Sequence, residues 1–193
     1  MKRKLLLIAV VIICCATLGF GSVAYFTASA KAVNVITSGN IKIAIVERQL
    51  DADGELVAYP DEPVAVMPGA EVSKIVTIRN QAEYEAWVRA KVAIAVLDAD
   101  GEPLAIPDVL ITLGGTDAAW KEKDGFYYYT KPLAGKAETE SLLETVAFDA
   151  EAMDNAYQGC TVTVSVSAQA LQVKNIPLGS DGLPAPELYP AAE

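Results

Sequence analysis

Two stretches of strict alternation constrain this chain more than anything else in it. In residues 87–97, Val88, Ala90, Val92, Ile94 and Val96 alternate with Trp87, Arg89, Lys91, Ala93 and Ala95. In residues 161–172, Val162, Val164, Val166 and Ala168 alternate with Thr161, Thr163, Ser165 and Ser167. A period of two gathers each apolar set on one face of an extended strand, whereas a helical period would scatter it. Ile41, Ile43 and Ile45 start another strand, residues 72–79 form a fourth, and Phe126-Tyr127-Tyr128-Tyr129 forms a fifth, rich in aromatics that favour sheets. Shorter strands are expected at 110–113, 139–143 and 145–148. Asp53-Gly54, Pro68-Gly69, Asp100-Gly101, Gly114-Gly115 and Asp124-Gly125 punctuate these runs with turn chemistry. The one expected helix is short, over 149–156. Strands buried on one face need a second apolar layer, so the pattern predicts an all-β sandwich of immunoglobulin or jelly-roll type.

The first residues carry an address. Lys2, Arg3 and Lys4 precede fourteen uncharged, mostly apolar residues, 5–18, and Gly19-Phe20-Gly21-Ser22 breaks the run. A positive start, a short apolar core and small residues make a secretory signal peptide. Fourteen helical residues span roughly 21 Å, short of the roughly 30 Å hydrocarbon core. Extended to Phe26 the run just spans, so an uncleaved anchor is the rival reading. Small residues at −3 and −1 place cleavage after Ser22-Val23-Ala24, before Tyr25, or after Ala28-Ser29-Ala30, before Lys31. Ile12-Ile13 before Cys14 lack the small residue expected ahead of a lipid-modified cysteine. The expected organisation is a signal peptide over 1–24, a sandwich domain over 25–175, and a flexible tail over 176–193, where Pro177, Pro184, Pro186 and Pro190 concentrate.

Composition narrows the chemistry. There is no histidine, which excludes Ser-His-Asp and Cys-His catalysis and every His-ligated metal site. The formal charge of −10 opposes binding to nucleic-acid phosphates. Once the signal is removed Cys160 is the one remaining cysteine, so no internal disulfide is available, and with no base to activate it Cys160 is expected as a half-buried strand residue. Leu50-Asp51-Ala52-Asp53-Gly54-Glu55 recurs as Leu97-Asp98-Ala99-Asp100-Gly101-Glu102. Neither copy has the spacing of a calcium-binding helix-loop-helix, and acidic hairpin tips are the simpler reading. The tyrosine run is a conceivable sugar platform, but alternation puts Tyr128 on the face opposite Tyr127 and Tyr129. No Gly-rich phosphate loop follows a strand and opens a helix. No catalytic residues, metal ligands or cofactor are therefore assigned.

Read in order, several segments resemble one family. Ser22-Val23-Ala24-Tyr25-Phe26-Thr27 ends the signal, and residues 32–41, with Ile36 where a phenylalanine is usual, follow closely. Pro68-Gly69, then Val76-Thr77-Ile78-Arg79-Asn80, Trp87-Val88-Arg89-Ala90-Lys91-Val92, Gly125-Phe126-Tyr127-Tyr128-Tyr129 with Lys131-Pro132-Leu133, Tyr157-Gln158-Gly159 and Gln169-Ala170-Leu171-Gln172 continue the match to about Asn175. This order resembles the TasA/camelysin family, exported through the SipW-type signal peptidase of Gram-positive bacteria.

The resemblance implies a jelly-roll-like antiparallel β-sandwich with an N-terminal signal-peptide helix and a Pro-rich tail. It implies a secreted cell-surface or biofilm-matrix protein, touching the membrane only through its signal, with itself or a related matrix protein as partner. It also implies assembly by strand donation after cleavage, with Tyr25, Phe26, Val33, Val35 and Ile36 in the donor strand. An open sheet edge exposes unpaired N–H and C=O groups, and an incoming strand satisfies them. A monomeric adhesin or carbohydrate-binding module is the alternative. A camelysin-like metallopeptidase ranks last, because the zinc motif and its histidines are missing.

Overall fold

The computed structural model describes residues 26–37, 41–61, 64–107, 110–153 and 155–190. Eleven strands occupy them: β1 (Phe26–Thr37), β2 (Ile43–Leu50), β3 (Leu56–Ala58), β4 (Val64–Val66), β5 (Glu71–Asn80), β6 (Ala86–Leu97), β7 (Ile111–Gly114), β8 (Trp120–Lys123), β9 (Phe126–Tyr129), β10 (Leu143–Phe148) and β11 (Thr161–Gln172). They form two sheets, one ordered β4-β1-β11-β6-β9-β8 and the other β3-β2-β5-β10-β7. Every neighbouring pair is antiparallel except β1 and β11, which run parallel. The expected all-β, two-sheet architecture is what the chain forms.

The two alternating stretches pair along their whole length, from Thr161 opposite Leu97 to Gln172 opposite Ala86. Their apolar faces line one core. Val88, Ala90, Val96, Val162, Val164, Val166, Ala168 and Ala170 meet Ile43, Val76, Ile78, Leu143, Val146 and Phe148 from the other sheet. Each fully buried Val or Ile side chain contributes about 1.5–3 kcal/mol, which stabilises a chain whose lone described cysteine, Cys160, is unpaired. Cys160, expected as a half-buried strand residue, is fully buried and lies just before β11 begins at Thr161. Asn80 also lies inside, where its Nδ2 donates to the carbonyls of Tyr84, Leu133 and Ala134 and its Oδ1 accepts from the Ala82 N–H.

The Asp-x-Asp-Gly echo is structural as well as sequential. In each copy the first aspartate accepts two backbone N–H groups through Oδ1: Asp51 from Asp53 and Glu55, Asp98 from Asp100 and Glu102. Gly54 and Gly101 take positive φ at the same place in the turn. The first copy joins β2 to β3. The second closes in a single bridge between Leu97 and Pro103, because proline has no N–H to extend a ladder.

Three expectations are corrected. The described residues of 149–156 make no α-helix. Asp149 Oδ1 instead caps the N–H groups of Glu151 and Ala152, and a short 3-10 turn follows at Asn155–Tyr157. The Met153 N–H reaches the Asp149 carbonyl, but so short a segment supplies too few helical hydrogen bonds for that capped turn to propagate. The strand expected at 139–143 begins only at Leu143, and Glu138 meets Arg79 in a single bridge. Finally, residues 176–190 do not hang free. Leu183 and Tyr189 are buried against Trp87, Tyr128 and Leu171 on the outer face of the six-stranded sheet, with Phe126, Val173, Ile176 and Leu188 around them.

Candidate functional site

The N-terminal strand lies second from one edge of the six-stranded sheet. β1 lies between β11 and β4, and β4 has no other neighbour in the sheet. Thr27 to Ala32 run in register with Thr161 to Val166, and Val35, Ile36 and Thr37 with Ala168, Gln169 and Ala170. The register shifts between Ala32 and Val35, the interval that holds Val33. On the other side Phe26, Thr27 and Ala28 face Val66, Ala65 and Val64. Lifting β1 out therefore frees the outer edge of β11 and separates β4 from the sheet.

Of the residues singled out in the sequence, Phe26, Val33, Val35 and Ile36 all fall in β1. Ser22, Ala24 and Tyr25, at the first cleavage site, lie outside the described residues, as does the signal-peptide helix. The second cleavage site, Ala28-Ser29-Ala30, lies within β1, opposite Val162, Thr163 and Val164. Cleavage there removes every residue of β1 that pairs with β4.

The sheet edges differ in character. β8 carries Lys121, Glu122 and Lys123, charges that discourage edge-to-edge pairing. β3, at the edge of the other sheet, presents Leu56 and Val57 to solvent beside Leu50 of its hairpin partner. The outer face near β9 is closed by the tail. The Arg89 guanidinium sits 4.2 Å from the ring centroids of both Phe126 and Tyr189. Its Nε donates to Gln169 Oε1 at 2.6 Å and its Nη1 donates to Tyr128 Oη at 3.0 Å. Gln169 Nε2 donates onward to the Pro190 carbonyl at 2.8 Å, and Lys123 pairs with Asp181 at 2.7 Å. Burial pushes the Tyr189 hydroxyl well above its ordinary pKa.

This arrangement takes two of the three tyrosines of the run out of solvent. Tyr128 is 1% exposed beneath the tail, and Tyr129 is buried on the core side beside Trp120. The missed element was the tail clamp, and a signal for it existed. Trp87 and Leu171 are large apolar residues on the face that alternation assigns to solvent, and the tail supplies Leu183, Leu188 and Tyr189 to cover them.

On the outer face of the five-stranded sheet, Glu138 bridges two arginines. Arg48 donates to both of its carboxylate oxygens, Arg79 donates to Oε2 through Nε and Nη2, and Thr77 Oγ1 donates to Oε1. Arg48 foremost, with Thr77 and Arg79, holds this carboxyl at about 2. These groups engage one another and pin the segment after β9 to β2 and β5. Among the described residues no three Cys, Asp or Glu side chains converge as metal ligands. No protein-family model matches the chain, and a search of curated proteins finds no match.

Proposed function

We propose that this chain is a secreted cell-surface or biofilm-matrix structural protein of a Gram-positive bacterium. In this reading it is a jelly-roll-like sandwich released by a SipW-type signal peptidase. It joins a second copy, or a related matrix protein, by donating its N-terminal strand. Its work is done by backbone pairing and surface contact rather than by reactive side chains.

The observation that carries this reading is the position of β1. It is the first strand after the apolar leader, and it fills a slot between β11 and β4 that is open without it. Exchange of β1 between copies keeps the same pairs, so its intrinsic cost is small and concentration decides the balance. Repeated head to tail, the contact makes an open filament. Before cleavage the leader ties this strand to the membrane, so proteolysis licenses assembly.

The test is electron microscopy of the secreted protein at high concentration, alone and with a matrix partner, beside a chain beginning at Ile41. Fibres from the first and none from the second are expected. Monodisperse particles from the full secreted chain under both conditions refute the reading.

A further inference from the structure

Inside the five-stranded sheet one charged pair stands apart from every other. Lys74 of β5 is 2% exposed, and its Nζ lies 2.9 Å from Oε1 of Glu47 on the neighbouring strand β2. Despite that distance, neither atom makes a hydrogen bond of ordinary geometry among the described residues. The Tyr59 ring closes over the amine, its centroid 4.3 Å from Nζ, and the Tyr59 N–H donates to the Glu47 carbonyl, which sets the ring opposite Glu47. An ammonium has three N–H donors, and burying it is costly even where one carboxylate oxygen and a ring face offset part of the loss.

We propose that Lys74 and Glu47 are the two halves of an intramolecular isopeptide crosslink between β5 and β2. The lysine Nζ forms a bond to the Glu47 carboxyl carbon Cδ, and one Cδ–O bond breaks. The ammonium and carboxylate together lose two protons and one oxygen as water, leaving a neutral secondary amide. No oxidant, reductant or further reactant enters.

Three features support the step. With a C–O bond of about 1.2 Å, an amine 2.9 Å from Oε1 stands roughly 3–4 Å from Cδ, close to attack distance. Desolvation, which outweighs the attraction of Glu47, pushes the Lys74 amine below its ordinary pKa and so towards the nucleophilic neutral form. The product replaces this close ion pair with one neutral amide, which removes the cost of keeping two charges out of water. The crosslink also suits a chain whose one described cysteine is unpaired, because it ties together strands that no disulfide joins. It is independent of the strand-donation reading.

Tryptic mapping of the secreted protein tests it directly. Residues 43–48 and 49–79 are expected in one branched peptide, lighter by one water than its two parts, with no cleavage after Lys74. Glu47→Ala is expected to restore cleavage at Lys74 and release the two peptides separately. Recovery of separate linear peptides cut after Lys74 from the folded wild-type protein overturns the proposal. So does a branch that survives Glu47→Ala. The wild-type map decides the question even if the variant does not fold.

Discussion

Replacing Glu138 with glutamine removes one charge and keeps the shape of the group that joins Arg48, Thr77 and Arg79. The wild-type carboxyl titrates at about 2 against an ordinary 4.5. At about 1.4 kcal/mol per pKa unit, that depression corresponds to an upper bound of about 3 kcal/mol. Glu138 is 24% exposed and Arg79 is 48% exposed, so solvent screening reduces the expected loss to about 1–2 kcal/mol. The pH dependence has a definite sign. A lowered carboxyl pKa stabilises the fold above the unfolded value, and the benefit is lost as pH falls through the folded one. The difference between wild type and Glu138→Gln should be flat above pH about 5, shrink as pH falls, and approach zero only below pH about 2. Urea denaturation at pH 7, 4 and 2.5 measures it. Glu140, also held at about 2 chiefly by Lys131, contributes equally to both proteins and drops out of the difference. A gap that stays constant down to pH 2.5, or one below about 0.5 kcal/mol at pH 7, contradicts the reasoning.

Asn80→Ala removes the side-chain donor to the Tyr84, Leu133 and Ala134 carbonyls and the acceptor of the Ala82 N–H, and should destabilise by about 1–3 kcal/mol in the same denaturation assay. Tyr189→Ala removes one wall of the Arg89 clamp and should release the tail, seen as a red shift of Trp87 emission and early proteolysis within 176–190, with the sandwich still folded. A wild-type emission spectrum and an uncut tail in that variant contradict the clamp. Burial raises the Cys160 thiol pKa, so alkylation at pH 8 should be slow in the native protein and rapid in urea.

The sandwich was legible because its longest strands are each buried on one face. The valines of β6 and β11 keep period two over their whole length, and that signal is local. The turn at Asp53-Gly54 was legible for the same reason, since its glycine and aspartate act within a few residues. β3, β4 and β8 were not legible: Leu56–Ala58 and Val64–Val66 are too short to show a period, and Trp120–Lys123 is mostly charged. The tail misled because proline and glycine signal irregular backbone, and irregular backbone still packs when Tyr189 and Leu183 find an apolar face. Alternation places Lys74 on the face of Val72, Val76 and Ile78, but its partner Glu47 stays hidden until the neighbouring strand is placed. The slot for β1 depends on pairing between opposite ends of the chain, which no local pattern encodes.

Disulfide trapping across the β1–β11 register tests the central claim most directly. Ser29 and Thr163 are partners in the parallel ladder. Ser29→Cys and Thr163→Cys, each in a Cys160→Ala background, are secreted separately, concentrated, mixed and oxidised. Strand exchange between copies predicts a covalent heterodimer that forms only in the mixture and grows with concentration. Mixtures that yield no such dimer, while the double variant Ser29→Cys/Thr163→Cys closes readily within one chain, contradict it.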